Sequence, residues 1–578
     1  MIKTLLKEVK EYKFDSFITP VFMVLEVLFE TLIPLCIGEI VDNGVDKGDM
    51  NYIWKMGIVM VFLAIFGFLT GFGGGIFGAR ASTGFAKNLR KKMYDNIQTF
   101  SFSNIDKFST AGLVTRLTTD VTNVQNSYQM VLRMCFRAPI SMITAMIMAF
   151  MISPKIASIY LIAVVILGVV LASIMMAAMK HFKELFKKYD ALNASVQENV
   201  GSIRVVKAYV REDHEISKFE KAINALYEIS VKAERKVILN GPAMNITIYS
   251  CILLISWIGA HMITAGNLTT GDLMALLQYC MNILMGLMFL SMIFVMLTMS
   301  MASAERIAEV INEKPDIVNP ENPIKEVKDG SVIFENVDFS YSEKSEKPVL
   351  KNINLKINSG ETIGIIGGTG SAKSSLVNLI SRLYDVKAGS VKVGGEDVRN
   401  YDLEVLRSQV SVVLQKNVLF SGTILENLRW GNKDASEEEC VEACRLACAD
   451  EFIENMPNKY ETFIEQGGTN VSGGQKQRLC IARALLKKPK VLILDDSTSA
   501  VDTATDAKIR KAFRENIPGT TKFIISQRIS SVQDADRIIV MEDGCVNGFG
   551  THEELLKNNE IYRDVYESQT GSNADFDD

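Results

Sequence analysis

Stretches without a single charged side chain constrain this chain more than any other feature. Residues 56–79, 156–179, 237–271 and 273–304 contain no Asp, Glu, Lys or Arg, and 138–154 is a shorter run of the same kind. About 20 apolar residues in a helix cross a hydrocarbon core of about 30 Å. A further span near 16–41 is interrupted by Glu26, Glu30 and Glu39. The pattern predicts six membrane helices near 16–41, 52–80, 130–152, 156–180, 240–264 and 272–304. All precede residue 310, and this concentration disfavours a wholly soluble enzyme. A hydrophobic content of 48% against 22% charged residues excludes a disordered chain.

Basic residues set the expected orientation. The turns 42–51, 153–155 and 265–271 contain only Lys47 and Lys155, whereas segments 80–137 and 180–236 hold nine and twelve Lys plus Arg. The long segments and both termini are therefore expected to be cytosolic. The protein is expected to be multi-pass in a cell membrane of the bacterial plasma-membrane kind, in contact with membrane lipid. No secretory leader is read at the N-terminus. The long segments keep a helical pattern, broken at Ser109–Gly112 and near Asp213–His214, and are read as levers.

Charge is divided unevenly. Residues 1–310 hold 29 Lys plus Arg and 24 Asp plus Glu, a net +5; the remainder holds 33 and 43, a net −10. An acidic second half without a basic tract argues against nucleic acid as a partner. The nine Cys show no metal-ligand spacing. Cys440, Cys444 and Cys448 share a helix face and read as small apolar packing residues in a reduced, cytosol-facing location.

The second half has an α/β pattern. Residues 361–366 read as a strand, followed by Gly367-Gly368-Thr369-Gly370-Ser371-Ala372-Lys373-Ser374 and a helix from Ser375. This is a phosphate loop in its strand–loop–helix context, with backbone N–H groups to cradle phosphates, Lys373 for the β- and γ-phosphates and Ser374 for Mg²⁺. Ala372 stands where glycine is usual. Val491–Asp495 reads as a buried strand ending in a carboxylate, where a nucleotide-bound Mg²⁺ needs an acidic partner. Between them, Val471-Ser472-Gly473-Gly474-Gln475 precedes a helix and forms a second anion site about 100 residues from the first. One nucleotide uses both cradles only if two chains sandwich it, which predicts dimerisation around ATP.

At this point the chain resembles the ATP-binding cassette transporters, as a half-transporter of the exporter type, and the resemblance covers nearly all of it. It implies an α-helical transmembrane domain of six long helices (1–310), a linker (311–330) with Pro315, Pro320 and Pro323, an α/β P-loop cassette domain (331–567) and a disordered tail (568–578). In the resemblance Tyr341 matches the adenine-stacking aromatic, and 367–374 the Walker A motif with Ser375 following. Gln415 matches the Q-loop, which touches Mg²⁺. Residues 471–475 match the signature facing the partner's ATP, Asp495 the Walker B carboxylate, and Ser499–Asp502 the D-loop. Residues 112–121 and 198–207 resemble the cytosolic segments of the membrane half. Glu465-Gln466-Gly467 departs from the family's acidic contact.

Two departures bear on mechanism. The family places Glu after the Walker B Asp as general base; here Asp496 is one methylene shorter, and misplacement by about 1 Å can cost about 10²-fold. The family's switch His is Gln527, which cannot carry a proton near neutral pH. The resemblance therefore implies a hydrolysis-impaired ATP site in a heterodimer with a homologous half-transporter whose competent site this chain's signature closes. A slow homodimer, an ATP-gated channel or regulator, and import instead of export remain open. The expected cargo is small and amphipathic, with hydrophobic drugs leading, and lipid or peptide as alternatives. Met281, Met285, Met288, Met292, Met296 and Met299 form one face of the sixth span, suited to varied apolar ligands or to ordinary packing. Glu26 and Glu30 share a face of the first span, where they contact cationic cargo, pair with Arg133 or Arg137, or line a wet cavity. His261 reads as a packing or interface residue.

Overall fold

In the computed structural model of the chain, residues 1–342, 347–497 and 500–571 are described. They form two compact units, Met1–Gln98 with Thr110–Glu313, and Thr99–Ser109 with the chain from Lys314 onward.

Among the described residues, six helical stretches of the first unit are long and apolar enough to cross a membrane. They are built from α1 (Lys13–Glu39), α2 (Met50–Ile97), α4 (Val121–Ile152), α5 (Pro154–Gly201), the pair α7 (Glu212–Val237) and α8 (Asn240–Thr264), and α9 (Thr270–Asn312). The short helix α3 (Phe102–Phe108) belongs to the second unit. Local chemistry sets the turns. The Asp49 carboxylate accepts from the N–H groups of Asn51 and Tyr52 to start α2, Pro154 opens α5, and Thr269 with Asp272 forms a capping box on α9. Helix α1 buries Thr19, Met23, Val27 and Thr31, four residues apart, as one stripe. Buried tyrosines tie helices together: Tyr160 donates to the Leu276 carbonyl at 2.8 Å and Tyr279 to that of Thr31 at 2.7 Å.

The first predicted break is present, since α3 ends at Ser109, which has φ 55°. The second lies earlier than expected. The helix is interrupted at Ser202 and at Tyr209–Arg211, around α6 (Ile203–Ala208), while Asp213 and His214 sit in the first turn of α7. Acidic residues favour helix N-termini, and here that preference marks a start where the sequence suggested a stop. Helix α9 continues to Asn312, two residues into the segment read as linker.

The second unit holds two main sheets. One is antiparallel, of β1 (Val332–Phe339), β2 (Leu350–Ile357), β4 (Ala388–Val393) and the short strand Glu396–Asp397. The other is built on β3 (Thr362–Gly367), β5 (Val410–Val413), β6 (Val491–Asp495), β7 (Thr521–Ile525), β8 (Arg537–Glu542) and β9 (Cys545–Gly550). Its order is β9-β8-β3-β7-β6-β5, parallel except for β9. Both β6 and β7 are buried along their whole length, as parallel strands covered on both faces must be. The strand read at 361–366 is shifted by one residue. The helix after the phosphate loop, α10 (Lys373–Asn378), starts two residues before Ser375.

Cys440 and Cys444 lie on α11 (Glu437–Leu446), fully buried in the core. Cys448 is also buried but lies past the helix end, in a left-handed conformation. The C-terminal helix α13 runs Glu560–Gly571, so residues 568–571, read as tail, are helical.

Candidate functional site

Parallel registry assembles the site. Ile525 of β7 pairs with Asp495 of β6 on one side and Ile365 of β3 on the other, and Val413 of β5 pairs with Leu494. The C-terminal edge of four neighbouring strands therefore carries, in order, Gln415, Asp495 with Asp496, Gln527 and the phosphate loop. Such an edge is where open α/β sheets bind ligands.

A cleft of about 300 Å³ opens there. Of the residues singled out in the sequence, it brings together Thr369, Gly370, Ala372, Lys373, Ser374, Ser375, Gln415, Asp495, Asp496 and Gln527. Val349 and Ile525, which carry no sequence signal, complete the wall. Gly367, Gly368 and Ser371 lie beneath: the Lys373 ammonium donates to the Gly367 and Gly368 carbonyls at 2.9 and 2.8 Å. Any side chain at Gly367 would collide with the Met541 carbonyl oxygen, and the residue sits at φ 156°, so glycine is required. Ala372 adopts φ 70°, the left-handed region, which costs an L-residue about 1 kcal/mol. Its methyl packs against the core, so the departure from glycine is felt in the backbone rather than as crowding.

Electrostatics favour a cation and a polyanion side by side. The Ser374 hydroxyl donates to Asp495 Oδ1 at 2.9 Å. Burial pushes the Asp495 carboxyl above its ordinary range, with Asp496 adding to the shift and Ser374 and Lys373 opposing it. Burial also raises Asp496, opposed by a hydrogen bond from Gln415 and by the charges of Lys373 and Arg528. The same burial lowers Lys373. A hydroxyl, a buried carboxylate and a half-buried one beside one lysine suit Mg²⁺ with phosphates. Asp496 has φ 47°, so a strained backbone aims the second carboxylate.

Tyr341 stands beside the cleft. Its hydroxyl is 2.8 Å from Ser375 Oγ, the residue is 48% exposed, and Phe339 and Tyr384 meet the ring edge to face at 4.8 and 5.0 Å. Ser472, Gly473, Gly474 and Gln475 do not line the cleft. They begin α12 (Gly473–Leu485), where the Ser472 and Gln475 side chains cap each other's backbone N–H. A Cβ on Gly474 would lie 2.9 Å from the Ala500 carbonyl oxygen, and the Ala500 N–H donates to Gln477 Oε1 at 3.1 Å. Ser499 lies outside the described residues.

In the first unit, Arg137 bridges both carboxylates of the first span, at 3.2 Å to Glu26 and 2.8 Å to Glu30. Arg133 makes no ion pair among the described residues. Met281, Met285 and Met292 are exposed, Met288 packs on the core, Met296 is half-buried, and the Met299 side chain lies outside what is described. None of them lines the apolar cleft of about 410 Å³ between α5 and α9, whose walls include Met175, Met176, Met179, Leu290 and Phe294. His261 packs edge-on against Trp257.

Known proteins share this organisation. The family model for the ABC transporter transmembrane region matches residues 16–288, and the ABC transporter model matches 350–499. The ABC transporter ATP-binding protein YfiB of Bacillus subtilis (strain 168) is 37% identical over 562 residues, 97% of each chain. The ATP-dependent lipid A-core flippase of Desulfotalea psychrophila is 30% identical over 98% of this chain and 99% of its own length. The solved structure of a bacterial Atm1-family ABC exporter with ATP bound has the same fold, with TM-score 0.83 and 22% identity over 96% of this chain and 99% of that one. With its membrane and nucleotide-binding regions both matched, the chain belongs to the ABC transporters: it is a half-transporter, six membrane helices followed by one cassette, and an ATPase coupled to transport.

Proposed function

We propose that this chain is the hydrolysis-impaired half of a heterodimeric exporter. The carrying observation is that a complete binding set and an incomplete catalytic set share one cleft. Lys373, Ser374 and Asp495 line it, and so do Asp496 and Gln527, in the positions where the resemblance expects Glu and His.

In this reading Lys373 and the loop 367–374 hold the phosphates, and Tyr341 stacks on the adenine. Ser374, Asp495 and Gln415 hold Mg²⁺, which neutralises phosphate charge. Asp496 serves the attacking water poorly, because its shorter arm withdraws the carboxylate from it. Gln527 orients the γ-phosphate by hydrogen bonding but shuttles no proton. ATP binding at both interfaces joins the cassettes and opens the membrane cavity outward, and hydrolysis at the partner's site resets it. Both termini face the cytosol. The cargo is amphipathic: the Arg137-bridged carboxylates supply a polar site within an otherwise apolar span, and α5 with α9 supply an apolar cleft.

The test uses the purified transporter. This chain alone should bind MgATP yet turn it over slowly, and native mass spectrometry of the intact complex should give one copy each of two different half-transporters. Asp496→Glu with Gln527→His should raise turnover at this site by about 10²-fold. Brisk hydrolysis by the unmodified chain, unchanged in the double variant, would identify a homodimeric ATPase instead.

A further inference from the structure

The turn that carries Gln527 is held from outside the nucleotide cleft. Ladder bonding on β7 ends just past the strand, with the Ser526 N–H donating to the Ile365 carbonyl. Beyond it the Gln569 side chain takes over. Its Nε2 donates to the Gln527 carbonyl at 2.8 Å, and its Oε1 accepts from the Ile529 N–H at 2.8 Å. A primary carboxamide presents one donor and one acceptor side by side, as a peptide group does, so one side chain replaces a neighbouring strand for two backbone groups.

The position of Gln569 follows from the face of α13 that it occupies. Tyr562 is fully buried, with its hydroxyl 2.6 Å from His552 Nδ1, and Val565 and Tyr566 pack on the same core. Gln569 lies seven residues after Tyr562, on the same face at helical spacing. Ile529, the first residue of the turn Ile529–Ser531, is buried at 2% exposure, so the clamp acts on a fixed anchor.

We propose that Gln569 is a positioning residue for the reaction: it fixes the backbone on both sides of Arg528 and thereby holds the Gln527 side chain in the cleft, where it meets the γ-phosphate. The inference rests on the proposed assignment of Gln527 to the γ-phosphate end. It extends the functional site to the C-terminal helix of the cassette, and nucleotide discrimination becomes sensitive to whether α13 is docked. Only a neutral carboxamide of this length serves, because a carboxylate would face the Gln527 carbonyl oxygen with another acceptor.

The test measures binding of a non-hydrolysable ATP analogue and of ADP, each with Mg²⁺, to the full-length protein. Gln569→Ala should weaken the analogue by about five- to tenfold, the scale of one or two hydrogen bonds, and leave ADP within about twofold. Gln569→Glu keeps the acceptor for Ile529 and the side-chain size; it should shift the analogue in the same direction, and it serves if the alanine variant does not fold. Amide exchange of Ile529 should quicken in Gln569→Ala and change less in Gln569→Glu, which keeps its acceptor. Equal losses for the two nucleotides, or no loss, would overturn the clamp, since general damage to the fold does not single out the γ-phosphate. Unmodified protein that failed to discriminate the analogue from ADP would remove the nucleotide assignment itself, and the clamp with it.

Discussion

Asp495 closes a strand in which every residue is buried, and its charge is costly there. Burial is the leading cause of its raised proton affinity, outweighing the Ser374 hydrogen bond and the nearby Lys373. The folded chain therefore holds this proton more tightly than the unfolded chain does. Between the ordinary aspartate value and the raised one, stability falls as pH rises, and above the raised value the penalty is fully present. In the nucleotide-free, Mg²⁺-free protein, Asp495→Asn should raise the thermal midpoint at neutral pH by a few degrees, the scale of about 1 kcal/mol in a domain of this size. The Asn side chain still accepts from Ser374. The advantage should shrink on acidification as Asp495 in the parent takes up its proton, and Mg²⁺-dependent ATP binding should be lost at every pH. Thermal unfolding at several pH values checks both signs, and an advantage that grows in acid would contradict the burial argument.

The short helix α3 shows how an element can depend on one side chain distant in sequence. Tyr384 donates to Asp106 Oδ2 at 2.8 Å, and its ring meets Phe102 at 6.0 Å and Tyr341 at 5.0 Å. Asn104 donates to the Lys314 carbonyl, and Ser103 to Asp316. Tyr384→Phe removes only the hydroxyl. Amide exchange across 102–108 should then accelerate by about five- to tenfold, the worth of one hydrogen bond, with ATP affinity within about twofold because the ring edge against Tyr341 survives. Exchange mass spectrometry reads this directly, and an unchanged rate would assign the anchoring of α3 to Asn104 and Ser103. Such an element also marks the limit of sequence reading. Helices with a cap and an apolar stripe were legible, as were β3, β6 and the loop between Gly367 and Ser374, because their signals are local. The grouping of Thr99–Ser109 with the cassette was not, since its ties to Lys314, Asp316 and Tyr384 all come from residues more than 200 positions away. Gln569 was missed for the same reason: its neighbours in sequence are polar, and only the folded chain brings Gln527 and Ile529 to it. The second break was misplaced because Asp213 and His214 read equally well as a turn and as an acidic first turn of helix.

At the scale of the whole molecule, a phosphate loop and a signature segment that lie apart in one chain fit a transporter that works as a dimer. The phosphate loop, Gln415 and the Asp495–Asp496 pair surround one cleft, while Ser472, Gly473 and Gly474 open α12 outside its walls. A second cassette can use what this one leaves outside. Gly474 is the sensitive point, because a methyl there would press on the Ala500 carbonyl oxygen at 2.9 Å and shift the start of α12, the segment that meets the partner's nucleotide in the proposed heterodimer. Gly474→Ala should therefore leave ATP binding to this chain's own cleft within about twofold, yet lower turnover of the assembled transporter by about 10²-fold, as misplacement of about 1 Å does at a reacting centre. The combination separates two architectures. If α12 served the cleft of its own chain, nucleotide affinity and turnover would fall together. If it closes the partner's site, affinity here is spared and hydrolysis there is lost. In the proposed heterodimer a matching Gly→Ala change in the partner's own signature should cost much less, because the site it closes is the one built around Asp496 and Gln527.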